Sequence, residues 1–322
     1  MSVGKIDNFA LPTIDGWDRW VDRLFRWIAA AAALVVAGAL VGVVFQLLSA
    51  AWPTLKAMGL APVVSTEWSV VDDKYGLLPE IWGTVITALL AVIGATVFGV
   101  LIAVFLSQGF LPPRLAWGLR NLVDLLAAVP SVVYGLWGIF VLIPLVRTPA
   151  NWLHDHAGWF PLFASPFTGP SLFPASLVLA IMVLPTIASL SRDALASVPK
   201  NMRDGALALG CTKWETILRV VIPTALPGLL GAVVLGLGRA LGETMAVAML
   251  IGNTPKIGVN LFQPANTLST LLANNFPEAE MGSLHAGALT LAALVLLAIT
   301  LGVNIVGALI TQRATRFHRG GR

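Results

Sequence analysis

Residues 192–223 read RDALASVPKNMRDGALALGCTKWETILRVVIP, a charged stretch set between two long apolar runs. Pro199 suits the first turn of a helix, where its missing N–H costs nothing. That helix runs through Ala206, Leu207 and Leu209 and stops at Gly210. Thr212-Lys213-Trp214-Glu215 then fits a capping box, T-x-x-E, which opens a second helix. Pro223 interrupts the second helix. The stretch thus predicts two short helices meeting at a glycine turn. Ala206, Leu209, Trp214, Ile217 and Leu218 supply apolar surface that needs a partner. A hairpin lying flat on a lipid surface would satisfy it, and so would a knob docking into a soluble motor. Pattern alone leaves both readings open.

The sequence on either side is that of a membrane protein. The 322 residues are 57% hydrophobic and 11% charged, with mean hydropathy +0.85, where a soluble chain carries about 25% charged residues. A span needs about 20 apolar residues to cross a hydrocarbon core of about 30 Å. Uncharged runs at 27–55, 81–113 and 125–146 give three spans. The uncharged run 157–191 opens with a Pro/Gly/Ser/Phe stretch, read as a loop or re-entrant piece, which places the fourth span at about 174–191. The fifth lies near 224–251 and the sixth near 283–311. The fold class is therefore all-α with six transmembrane helices. The first apolar run is long and lacks a convincing cleavage site, so it reads as a retained helix. Gly94, Gly99, Gly231, Gly236, Gly238 and Gly242 lie in these runs, and small residues let helices approach closely in lipid.

The net charge of +4 sits in short loops, which is the basic bias of cytoplasmic loops and not a nucleic-acid stripe. Lys5, Arg19, Arg23 and Arg26 precede the first span. Arg114 and Arg120 follow the second. Arg192, Lys200, Arg203, Lys213 and Arg219 lie between the fourth and fifth, and Arg313, Arg316, Arg319 and Arg322 follow the sixth. The opposite side has Lys56, Lys74, Arg147 and Lys256. This asymmetry predicts a lipid-embedded chain with a cytoplasmic N-terminal segment (1–26) and a cytoplasmic basic tail (313–322), and an even number of spans.

Several chemistries are not written in the chain. The single cysteine, Cys211, allows no intrachain disulfide. None of the six lysines is followed by Ser or Thr, so the phosphate-cradling loop G-x-x-x-x-G-K-[ST] is absent and any ATP-driven motion must come from another subunit. No nucleophile–base constellation stands out, so the chain does not read as an enzyme. His154 and His156 lack the Cys or carboxylate company of a metal site and read as part of a polar loop.

Two charges fall inside the fifth span, in Leu235-Gly236-Leu237-Gly238-Arg239-Ala240-Leu241-Gly242-Glu243-Thr244. In a continuous helix Arg239 and Glu243 are i, i+4 and share a face. A charge at a helix centre costs about 2.5–3.5 kcal/mol on insertion scales. Either the two form a structural ion pair, or Arg239 meets an anion in a translocation path. Glu243 would then hold the guanidinium when the anion is absent, or weaken anion binding enough for release. The guanidinium fork suits a tetrahedral oxyanion.

Asp204-Gly205-Ala206, then Gly210, then Val220-Val221-Ile222-Pro223 resembles the EAA loop of ABC-importer permeases, E-A-A-x-x-x-G followed nine residues later by I-x-L-P. Asp204, Gly205, Val220 and Ile222 differ conservatively from that pattern. The run GLGRALGETMAV resembles the fifth span of the PstC family, one of two permease subunits of bacterial phosphate importers. Leu126–Gly138 (LAAVPSVVYGLWG) resembles its third span, and Gly83-Thr84 and Asn253 also fit. The resemblance covers roughly 75–312. It implies a type I ABC-importer (MetI-like) permease fold in the inner membrane, importing inorganic phosphate by alternating access. It implies a coupling loop at about 199–223, with Asp204, Gly205, Ala206, Leu209, Gly210 and Trp214 engaging the ATPase, and a substrate pathway at Arg239, Glu243 and Thr244. The implied partners are a PstA-like second permease, two PstB-like ATPases that bind the ATP and Mg, and an external PstS-like phosphate-binding protein. Sulfate and molybdate permeases carry similar anions but would lack the GRALGET run. A stand-alone secondary anion transporter would leave the inside loop without a purpose.

Overall fold

Six helices long and apolar enough to cross a membrane occur in the computed structural model, which describes residues 16–280 and 282–319. They are Trp20–Met58, Leu78–Ser107, Ser131–Ala157, Leu172–Ala196, Lys213–Leu241 and Leu284–Thr315, here called the first to sixth spans. Lys5 and Arg322, counted above, lie outside the described residues. The chain divides into two units, Met1–Ser49 and Ala50–Arg322. In the first, Arg26 pairs with Asp22 one turn away on an exposed face.

Span ends follow backbone chemistry and not the charges that bounded the uncharged runs. The second span stops at Ser107, before Gly109 with φ +64°. Pro113–Ala128 is a separate helix with only Val123 buried, so neither the second nor the third span includes it. Pro130 precedes the third span, which continues through Arg147 and Pro149 to Ala157. Arg147 reaches a backbone oxygen, that of Thr168, at 3.4 Å.

Prolines inside the spans do not break them. Pro144 and Pro223 both follow short π-turns, Gly138–Leu142 and Ile217–Val221. A proline ring clashes with the carbonyl four residues back, and a widened turn just upstream relieves that clash while the helix continues. The expected interruption at Pro223 is thus replaced by one continuous span from Lys213 to Leu241. This span starts earlier and ends earlier than 224–251.

The fourth span is the post of the bundle. Within its most apolar stretch 61% of residues are buried, against 33% for the second, 28% for the fifth and 6% for the sixth. Glycines on its neighbours permit this. A Cβ on Gly99 of the second span would sit 3.1 Å from Ile187 Cγ2, and one on Gly236 of the fifth 2.8 Å from Ile187 Cγ1 and 3.0 Å from Val183 Cγ1. Gly228 meets Ala194 in the same way, at 2.6 Å. Gly238 faces Asn304 of the sixth span at 3.3 Å, whereas a Cβ on Gly231 would meet nothing. The end of the first span packs on the sixth through Ala51 and Leu289, both fully buried.

The segment between fifth and sixth spans folds back onto the second. A Cβ on Gly83 would lie 1.9 Å from the Asn266 carbonyl oxygen, so the backbones touch there. One residue on, Thr84 Oγ1 accepts from Leu268 N at 2.9 Å and donates to the Glu80 carbonyl at 2.6 Å. Thr267 opens the helix Leu268–Asn275 with a capping box closed by Thr270. Outside the spans, burial and the neighbouring Asp73 carboxylate raise the Tyr75 phenol above its ordinary range.

These contacts set two expected outcomes. Gly83→Ala forces the Asn266 backbone away and lowers stability by about 1–3 kcal/mol, seen as a lower Tm of the purified chain in detergent, while Gly231→Ala leaves Tm unchanged or slightly raised. Thr84→Val orphans the Leu268 N–H at a cost of about 1–3 kcal/mol. Amide hydrogen exchange across 266–272 quickens in that variant and stays slow in Thr84→Ser.

Candidate functional site

The fifth span does not run on through its motif. Its helix ends at Leu241, Gly242 caps it, and a short helix restarts at Met245–Leu250. The shared helical face expected for Arg239 and Glu243 is therefore lost, because Gly242–Thr244 is not helical. No ion pair joins the two among the described residues. Glycine and threonine are weak helix formers, and this break is what their placement permits.

Arg239 is exposed in the last turn of its helix, where the carbonyl end of the helix dipole favours a cation. Its Nη1 donates to Thr186 Oγ1 of the fourth span at 3.1 Å. Thr186 lies 14 residues from Leu172 and 10 from Ala196, or about 21 Å and about 15 Å along the helix. The guanidinium is thus held near mid-height of the bundle.

Glu243 turns elsewhere. Its Oε1 accepts weakly from Ala246 N at 3.4 Å, and its carbonyl accepts from Ser269 Oγ at 2.9 Å. It lines a narrow crevice with Thr84, Thr87, Thr267 and Ser269. Thr87 Oγ1 is buried there without a hydrogen-bond partner. Thr244 donates its hydroxyl to the Gly242 carbonyl at 3.3 Å and so serves the local turn. Deeper toward the segment 252–282, Glu80 is fully buried, with Oε1 accepting from Asn266 Nδ2 at 3.3 Å. The three expected pathway residues therefore split: Arg239 lies in the helix before the break, Glu243 and Thr244 within the break itself. Thr186, Thr87 and Glu80 were missed, and Thr84 was noted only as part of the resemblance. A hydroxyl directly after Pro185 in an apolar run, and hydroxyls at i, i+3 in the second span, were the available signals.

The two motif stretches meet. A Cβ on Gly135 would lie 3.4 Å from Ala246 Cα and 2.5 Å from Met249 Sδ, and one on Gly138 2.7 Å from a methyl of Leu250, just beyond the run. Tyr134 donates its hydroxyl to the Leu126 carbonyl at 2.8 Å. Asn253, with φ +48°, donates to the Ala248 carbonyl at 2.9 Å and closes the short helix.

The loop 192–223 has the expected design. Lys200–Ala208 is helical, Gly210 takes φ +87°, and Thr212 and Glu215 cap each other reciprocally. Its apolar surface is smaller than expected, because Ala206 and Ile217 are buried. Leu209 is 88% exposed, and Leu207, Met202 and Leu218 are exposed beside it. Trp214 stacks on Phe110 with centroids 4.7 Å apart, and Lys213 Nζ donates to the Gly109 carbonyl at 3.1 Å. Arg203 Nη2 donates to the Leu195 carbonyl at 2.6 Å. Asp204 and Gly205 are exposed, and a Cβ on Gly205 would meet nothing. His154 and His156 each direct Nδ1 at a backbone carbonyl, of Phe163 and Trp152.

A family model described as "binding-protein-dependent transport system inner membrane component" matches residues 96–316. The chain is 40% identical over 297 residues to the phosphate transport system permease protein PstC of Mesorhizobium japonicum, spanning 91% of this chain and 90% of the relative. It is 40% identical over 300 residues to PstC of Haemophilus influenzae, spanning 91% and 94%. The probable PstC of Methanocaldococcus jannaschii is 36% identical over 269 residues, spanning 82% and 85%. Among solved structures, a bacterial alginate ABC transporter matches with TM-score 0.62 at 17% identity, over 92% of this chain and 98% of that one. The MetNI methionine ABC transporter matches with TM-score 0.56 at 18% identity, over 74% and 95%. At such identities the likeness shows the fold, which is that of ABC-importer permeases. With six spans in that fold and PstC relatives along nearly its whole length, the chain belongs to the binding-protein-dependent inner membrane transport components, and among them to the PstC family.

Proposed function

We propose that this chain is the membrane-spanning permease subunit of an ABC importer for inorganic phosphate, and that Arg239 meets the anion in the pathway. The observation that carries the reading is the guanidinium near mid-height of the bundle, exposed and without a carboxylate partner among the described residues. A charge so placed is costly, and an anion passing through would offset that cost. PstC relatives supply the cargo class. The family is a transport component and not an enzyme, so ATP and Mg belong to an ATPase partner. An external binding protein delivers the substrate, as the family description implies. The finer assignment is a PstA-like second permease, two PstB-like ATPases and a PstS-like binding protein.

The basic residues before the first span, in the loop 192–223 and after the sixth span favour both termini in the cytoplasm. The exposed knob around Leu209 is then the ATPase contact, with Asp204, Gly205 and Gly210 forming its helix and turn and Ala206 and Trp214 anchoring it. Trp214 on Phe110 and Arg203 on the Leu195 carbonyl tie the knob to the ends of the second and fourth spans. The fifth span starts in the knob at Lys213 and carries Arg239 near its far end. A push at Leu209 therefore moves the elements that hold the guanidinium, which is the coupling that alternating access requires. Glu243, outside any pair with Arg239, repels an anion beyond the site and keeps its binding weak enough for release. Thr244 shapes the turn that sets this separation.

The test is uptake of labelled phosphate into vesicles that hold this chain, its partners and internal ATP, with sulfate as competitor. The expected result is ATP-dependent uptake that sulfate does not displace. Arg239→Ala abolishes uptake while the complex still assembles. Loss of assembly instead would make Arg239 a structural residue. Leu209→Asp leaves the fold intact, since the side chain touches solvent, and lowers both uptake and ATPase co-purification by about tenfold or more, as burying an unpaired charge in an interface does.

A further inference from the structure

We infer that Thr186 is a positioning residue for anion passage: its hydroxyl holds the Arg239 guanidinium so that the free edge of the fork faces the pathway. The inference rests on the reading of Arg239 given above. A guanidinium presents five N–H donors in a rigid plane. Among the described residues Arg239 makes a single hydrogen bond, from Nη1 to Thr186 Oγ1 at 3.1 Å. One donor thus fixes the plane, and the donors on Nη2 and Nε stay available for two oxygens of a tetrahedral anion, the bidentate arrangement that guanidinium favours. A carboxylate in place of the hydroxyl would hold the side chain more tightly and would also cancel its charge. A threonine is neutral, so it orients the cation and leaves its attraction for an anion intact.

Thr186 is itself well braced. Pro185 and Ile187 on either side are buried, and Ser189 Oγ donates to the Thr186 carbonyl at 3.2 Å. Gly236, one turn before Arg239, lies against Val183 and Ile187, one turn before Thr186 and next to it. The close approach of the two spans is therefore what sets the distance from hydroxyl to guanidinium. A packing role for Thr186 and a positioning role predict opposite rankings of substitutions. Valine keeps the volume and removes the hydroxyl. Serine keeps the hydroxyl and removes a methyl.

The experiment measures phosphate uptake per ATP hydrolysed, in vesicles containing the assembled importer with its external binding protein. Wild type, Thr186→Val, Thr186→Ser and Thr186→Ala are compared. The expected result is a ratio within about twofold of wild type for Thr186→Ser and a fall of about tenfold or more for Thr186→Val and Thr186→Ala, the loss of one hydrogen bond to a charged group. Assembly and stimulated ATP hydrolysis hold steady. A lesion of packing alone lowers uptake and hydrolysis together and leaves the ratio unmoved, which overturns the inference. So does a ranking in which Thr186→Val equals or exceeds Thr186→Ser. Failure of both hydroxyl-free variants to assemble makes the residue structural and overturns it too. Wild type that takes up no phosphate sinks the reading of Arg239 first, and the inference with it.

Discussion

The contact on which the rest depends is that of the fifth span with the fourth at Gly236. A side chain there would drive into Val183 and Ile187, and the fifth span would have to move outward. Arg239 sits three residues further along, so that shift would take its guanidinium out of reach of Thr186. The second span uses the same device on the same residue, Ile187, through Gly99. Without a hydrophobic effect between helices in lipid, such close packing of small residues is what holds a bundle together. Here it also decides where a cation can be placed.

The cation is tolerable for three separate reasons. It lies in the last turn of a helix, where the backbone carbonyls favour positive charge. It has one hydrogen bond to a neutral hydroxyl. It is exposed on its face, so it is not sealed in an apolar core. An ion pair with Glu243 would have been a fourth route, and the chain does not take it. The break at Gly242–Thr244 leaves the carboxylate at the Ala246 N–H instead, while the Glu243 carbonyl accepts from Ser269 Oγ. Charge separation follows from the loss of helix over Gly242–Thr244, and it leaves the guanidinium uncancelled.

Much of this was legible in the sequence. Composition and the six apolar runs set the fold class, since no other arrangement disposes of so much apolar surface. The T-x-x-E box at Thr212 and the glycine turn at Gly210 were readable because caps and left-handed turns are local chemistry. Span ends were read less well, because an uncharged run is not a helix. Pro113–Ala128 carries charges and is helical, while the third span runs through Arg147. The continuity at Pro223 was hidden because a π-turn is decided by packing as well as by residue type. Thr186 was hard to read for a deeper reason: its place after Pro185 draws notice, but nothing local tells whether such a hydroxyl serves its own helix or holds a side chain 53 positions away.

The start of the fifth span at Lys213 and the guanidinium belong to one continuous helix. The span Lys213–Leu241 is unbroken, and at 1.5 Å per residue it is about 43 Å long. Its two ends are held differently. Trp214 and Lys213 clamp the lower end onto Phe110 and Gly109, where stacking and a cation–π contact resist small rotations. The upper end is held by glycine contacts and one hydrogen bond, which slide more readily than interlocked side chains. The span is therefore held more firmly at its Lys213 end than at the end that carries Arg239. Helix packings of this kind move by small shears between discrete arrangements.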